Sequence, residues 1–135
     1  MKRRVVLDTN VLVSALRSRR GASFKVLELV GQDRFDLCVS VPLVVEYESA
    51  AKRVAALAGL RRADIDDIID YLCRVAEHRE IFYLWRPCLK DAKDDRVLEL
   101  AVESEVDFIV THNVRDFSGA EQFGVRVLTP QEFLR

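Results

Sequence analysis

The sequence predicts an α/β fold in three layers, α/β/α, with helices on both sides of a central, mostly parallel sheet of five strands. Two observations carry that expectation. Val5-Val6-Leu7 and Phe108-Ile109-Val110 are apolar at every position, as strands buried on both faces must be. The stretches between strand candidates repeat apolar residues at intervals of three and four, the period of a helix with one buried face. Strands that alternate with helices are joined by right-handed crossovers, which leave the strands parallel.

The first strand ends at Asp8, and Thr9 to Leu16 continues as a helix. After the polar break Arg17-Ser18-Arg19-Arg20-Gly21, a second helix carries Phe24, Leu27, Glu28 and Val30. Asp36-Leu37-Cys38-Val39-Ser40 is the second strand. Pro42 suits the first turn of the next helix, where no intrahelical N–H is needed, and Leu43 to Leu57 fills it. The clearest helical period runs from Asp64 to Glu77, where Ile65, Ile68, Ile69, Leu72, Cys73 and Ala76 share a face and Asp64 or a neighbour caps the start. Ile81-Phe82-Tyr83-Leu84 is the third strand candidate, followed by a loop from Trp85 to Lys93 and a helix bearing Val97, Leu98, Ala101 and Val102. The fourth strand is Phe108 to Val110. Val125, Val127 and Leu128, after Gly124, form the fifth, and Arg126 marks it as a half-exposed edge.

At 135 residues the chain is the size of one domain, spanning 1–135, and no repeat or linker divides it. Half the residues are apolar and 32% are charged, enough to bury a core and keep a soluble surface. Lys and Arg number 21 against 22 Asp and Glu, so any affinity for nucleic acid has to come from a local patch. Cys38, Cys73 and Cys88 are odd in number and widely spaced, which excludes a disulfide framework and a zinc knuckle. The basic start Lys2-Arg3-Arg4 leads into an apolar run that Asp8 stops, so no secretion signal is read. No run approaches the ~20 apolar residues of a membrane span, and the expected location is the cytoplasm.

In a parallel sheet, loops and helix N-termini converge beyond the carboxyl ends of the strands, and ligands bind there. Asp8 ends the first strand, Glu46 lies early in the helix after the second, Asp95 opens the helix before the fourth, and Thr111-His112-Asn113 follows the fourth. Asp116 is three residues further on. Taken singly these are ordinary residues: a helix cap, a solvated glutamate, the acidic start of a helix in Asp91, Asp94 and Asp95, a turn aspartate. Taken together they converge on one crevice without a neutralising lysine, and a divalent cation relieves their repulsion. Oxygen donors favour Mg²⁺ or Mn²⁺ over zinc. Such an ion polarises a phosphodiester and activates water, so metal-assisted phosphodiester hydrolysis is the expected chemistry.

The segments VVLDTNVLVSAL at 5–16, VPLVVEYE at 41–48, DDRVLELA at 94–101 and DFIVTHNVRDF at 107–117 resemble, in that order, the PIN-domain ribonucleases, in particular the toxin-like branch related to VapC. The resemblance implies a PIN-like fold and a ribonuclease that acts as the toxin of a toxin-antitoxin pair. It implies that Asp8, Glu46 and Asp95 are the conserved acids of the site, with Asp8 and Asp95 holding metal directly and Glu46 through water. The fourth acidic position falls on Asn113 or Asp116, and Asp116 is the choice made here; an amide at 113 still coordinates through its carbonyl or orients water. Thr9, Asn10, Thr111 and Asn113 are implied as supporting residues that hold the acids by hydrogen bonds. An RNA substrate, a small antitoxin protein and a homodimer or higher oligomer are implied as partners.

For RNA, the local basic candidate is Arg17, Arg19 and Arg20, although Lys52-Arg53 and Arg61-Arg62 are comparable clusters. His112 beside the site, His78 and Trp85 are assigned no chemistry. A haloacid-dehalogenase-type phosphatase would need a second acid at Asn10, a receiver domain an acid after the third strand, and a dinucleotide fold a glycine-rich turn within residues 8–20, which hold no glycine. The remaining alternative is a PIN-like domain, weakened by Asn113, that only binds RNA or protein.

Overall fold

Five parallel strands form the centre of the protein, in the order β3-β2-β1-β4-β5. They are β1 (Arg3–Leu7), β2 (Phe35–Val39), β3 (Glu77–His78), β4 (Phe108–Val110) and β5 (Arg126–Leu128). This computed structural model describes residues 2–80 and 92–135, without the side chains of 92–95. Val5 of β1 pairs with Leu37 of β2 on one side and Phe108 of β4 on the other. Val5, Val6 and Leu7 are buried, as their run of apolar residues requires of a central strand.

The helices are α1 (Thr9–Arg17), α2 (Ala22–Leu29), α3 (Val41–Val54), α4 (Arg62–Val75), α5 (Ala92–Glu103) and α6 (Pro130–Phe133). The chain steps outward from β1 to β3 and then returns across the sheet to β4, so right-handed crossovers place α1 to α4 on one face and α5 on the other. α1 packs on α2 and α3, α3 on α4, and α2 on α6, while α5 lies against β1, β2 and β4. Leu12, Val26, Tyr47 and Ile65 fill the first layer, and Val97, Leu98, Leu100 and Ala101 the second. None of the helices among the described residues is long and apolar enough to cross a membrane.

The three layers and the five-stranded sheet agree with the expectation, and the sheet is parallel throughout. Three local differences have physical causes. The helix expected from Asp64 to Glu77 stops at Val75, because Ala76 is extended and Glu77 pairs with Cys38 in β3. Asp64 is not the cap itself: it sits three residues after Arg61 and accepts that residue's N–H at 2.9 Å. The strand expected at Ile81 to Leu84, and Asp91, lie outside the described residues. Between β4 and β5 run two short 3-10 helices, Val114–Phe117 and Ala120–Phe123, and Gly124 leaves the second with φ of 80°, a conformation suited to glycine.

Candidate active site

Asp8 is where strand becomes helix. Its N–H donates to the Val110 carbonyl at 2.9 Å, completing the pairing of β1 with β4, while its carboxylate accepts the Thr9 N–H at 2.8 Å and so caps α1. The second carboxylate oxygen accepts the Thr111 hydroxyl at 2.8 Å and the Asn10 amide at 3.3 Å. Only 7% of Asp8 is exposed. Its orientation is therefore fixed by three donors from two elements.

Thr111, fully buried after β4, is the hub of this cluster. Besides donating to Asp8, its hydroxyl accepts the Asn10 amide at 3.2 Å and the Asn113 backbone N–H at 3.0 Å. Asn10 returns the link by accepting the His112 N–H at 3.2 Å. The loop after β4 is thereby tied to the first turn of α1.

Glu46 arrives from α3, which starts at Ser40, whose hydroxyl accepts the Leu43 N–H at 3.4 Å, and has Pro42 in its first turn. The Thr9 hydroxyl donates a short hydrogen bond to its carboxylate. The neighbouring Tyr47 is buried, and its hydroxyl donates to the Leu7 carbonyl at 2.5 Å, pinning α3 to the end of β1. Asp116 lies exposed in the 3-10 turn after Asn113. The side chain of Asn113 is exposed as well.

Burial pushes the Asp8 carboxyl above its ordinary range; hydrogen bonds from Thr111 and Thr9 oppose that, and the charges of Glu46 and Asp116 add to it. Both acids thus act on Asp8 through their charge. The same field, after burial itself, holds the Tyr47 hydroxyl far above its usual value. Asp8, Glu46 and Asp116 form no ion pair with any Lys, Arg or His among the described residues.

Asp95 belongs to the first turn of α5, which packs on β1, β4 and α3; its side chain lies outside the described residues. One turn later on that helix, Glu99 is a buried carboxylate that sequence reading passed over, although its spacing of four from Asp95 was the available signal. The oxygen-only donor set fits Mg²⁺ or Mn²⁺ in kind, and the carboxylates keep lone pairs beyond those already used. Among the described residues, however, no three acidic, His or Cys side chains stand close enough to hold an ion by themselves.

The basic candidates separate. Arg17 lines a groove along α1 with Thr9, Asn10 and Val13, so it shares the face that leads to the acids. Arg19 instead borders an apolar hollow with Phe24, Leu27 and Ile68, and Arg20 is exposed in the turn after α1. His112, given no role from sequence, has a ring nitrogen 2.7 Å from the buried Ser23 hydroxyl, which ties the site loop to α2.

A PIN-domain family model matches residues 4–115. No curated protein matches the chain. Among solved structures, a chain of VapBC2 from Rickettsia felis, in a crystal structure with a DNA fragment from their promoter, superposes with a TM-score of 0.61 at 13% identity, covering 92% of this chain and 98% of that one.

Proposed function

Because the chain belongs to the PIN-domain family, we propose that it is a divalent-metal-dependent endoribonuclease that acts as the toxin of a toxin-antitoxin pair. The observation that carries this is the desolvated Asp8 carboxylate, fixed by Thr9, Asn10 and Thr111 and loaded by the charges of Glu46 and Asp116 with no basic partner among the described residues. Uncompensated negative charge at the carboxyl end of a parallel sheet suits a cation and its phosphate ligand.

In this reading Asp8 and Asp95 hold Mg²⁺ or Mn²⁺ directly, Glu46 acts through water, and Asp116 supplies the fourth acid. The ion, when bound, polarises the phosphodiester and lowers the pKa of water. Thr9 aims Glu46 and Thr111 aims Asp8, while the Asn10 amide braces both sides of the site and Asn113 stands exposed beside it. Arg17 guides the RNA phosphates along the α1 groove; Arg19 lies on a different surface and Arg20 in the turn after α1, so neither lines that groove. The likeness in fold to a chain of VapBC2 supports a small antitoxin protein as partner; a homodimer or higher oligomer in the cytoplasm belongs to the same reading.

The test is incubation with total RNA in Mg²⁺, in Mn²⁺ and in chelator, mapping new 5′ ends for wild type, Asp8→Asn and Asp95→Asn. Metal-dependent ends that vanish in both variants are expected. Activity that survives both substitutions would refute the site. The amide at 113 favours a second reading, a domain that binds RNA or protein without cutting; it is adopted if wild type binds metal, both variants lose it, and no ends appear.

A further inference from the structure

A second basic surface lies at the opposite end of the sheet from Asp8. Arg3 pairs with Phe35, Val5 with Phe108, and Phe108 with Arg126, so strand alternation sends Arg3, Phe35, Phe108 and Arg126 to the same face. Helix α6 folds over them: Phe133 meets Phe35 and Phe108 edge-on, with ring centres 5.2 and 5.9 Å apart. With Arg34 and Arg135 these residues line a pocket of about 630 Å³. Its volume is in the range of small-ligand sites.

The basic side chains of the pocket, Arg3, Arg34, Arg126 and Arg135, outnumber the one acid that lines it, Glu132. The guanidinium carbons of Arg3 and Arg126 each lie 5.7 Å from the centre of the Phe108 ring, which helps to position them. Arg3 keeps a long ion pair to Asp107 at 3.5 Å, but Arg34, Arg126 and Arg135 have no carboxylate within 4.0 Å among the described residues. Glu132, the acid lining the pocket, caps α6 through the Thr129 N–H at 2.9 Å, and its charge also acts on Arg135 and Arg126, leaving Arg34 without an acid beside it among the described residues.

Guanidinium forks match phosphate oxygens, and a guanidinium plane offers a flat face on which a nucleobase stacks. β5, at the edge of the sheet, starts in the pocket at Arg126 and ends where the Leu128 carbonyl accepts the Thr111 N–H at 2.9 Å, beside the acids. Along β1, Arg3 in the pocket and Asp8 lie five residues apart, roughly 17 Å of strand. We infer that this pocket is a second contact for single-stranded RNA, holding phosphates and a base outside the segment that is cut; the inference rests on the RNA reading of the acidic site.

The experiment is fluorescence anisotropy of a labelled 15-nucleotide oligouridylate with the full chain in chelator, comparing wild type with Arg34→Ala/Arg126→Ala, and with circular dichroism to verify folding. Expected is at least tenfold weaker binding by the double variant, and a salt slope smaller by about 1.4, since each phosphate contact on a single strand contributes ~0.7. Arg34→Lys/Arg126→Lys keeps the salt slope of wild type but loses affinity, because lysine supplies charge without the planar fork. Unchanged affinity in the alanine variant, absence of wild-type binding, or displacement of the RNA by a glutamate-rich peptide at equal charge would each overturn the pocket. The outcomes separate from those of the acidic site: Asp8-dependent cutting with unaltered affinity in the alanine variant removes the pocket alone, and weakened binding without cutting by wild type removes the nuclease alone.

Discussion

One hydroxyl carries much of the site's order. Thr111 donates to Asp8 and accepts from Asn10 and from the Asn113 N–H. Thr111→Val keeps the shape and removes all three, stranding buried polar groups at a cost of about 1–3 kcal/mol, to be read from urea unfolding, with cutting reduced; Thr111→Ser is expected to recover most of both. The Asp8 carboxyl makes a pH prediction. Its folded pKa is raised, so its charged form weakens the metal-free fold at high pH, and that penalty fades as pH falls through the folded value and is gone below the ordinary one. In chelator, Asp8→Asn is therefore expected to melt above wild type at pH 8, with the gap closing as the pH is lowered into the carboxylate range. Asp8 and Glu46 were legible because each follows a strand. The pairing of His112 with Ser23 was not, since 89 residues separate them and nothing local in either marks the other.

At the scale of elements, the site depends on how α3 is seated. Tyr47, beside Glu46, fastens that helix to the Leu7 carbonyl at the end of β1. Tyr47→Phe leaves a buried carbonyl without that donor; a loss of about 1–3 kcal/mol is expected in thermal unfolding, and single-turnover cutting should fall as Glu46 loses its fixed approach. Elements with a continuous or periodic apolar run were legible: β1, α1, α3, α4, β4 and β5 stand within a few residues of expectation. β3 and α6 were not. Glu77–His78 has two residues and no apolar alternation to announce a strand, and its pairing to Cys38 and Val39 is a tertiary choice. The α6 turn did carry a local signal, Thr129 capping with Glu132 three residues on, but a single turn leaves no helical period. The arginine cluster was read as one patch because its members are adjacent in sequence, whereas the end of α1 turns Arg17 and Arg19 to different surfaces.

For the whole molecule, one core supports both the acidic crevice and the basic pocket at the other end. Ile109, fully buried in β4 between the two, is expected to cost about 2–5 kcal/mol on Ile109→Ala, read as a lowered unfolding midpoint in urea with an unchanged dependence on denaturant. Fold class was legible at this scale because strand and helix periods alternate along the chain and topology rules leave few ways to close them. The charge organisation was not: a net charge of −1 conceals an acidic end and a basic end, and only the register of Arg3, Phe108 and Arg126 across three strands brings the latter together.

β5 also limits how the molecule can meet others. Gly124 turns the chain into it with a left-handed φ, and Thr129-Pro130 begins α6 directly after it, so the strand has three residues and no room to lengthen. Its first residue is a charged arginine, and the proline that follows brings no N–H. An incoming extended segment would find too few unpaired backbone groups to continue the sheet at this border. At this border the fold is guarded against stacking of copies edge to edge, and a companion protein that meets it there engages side chains.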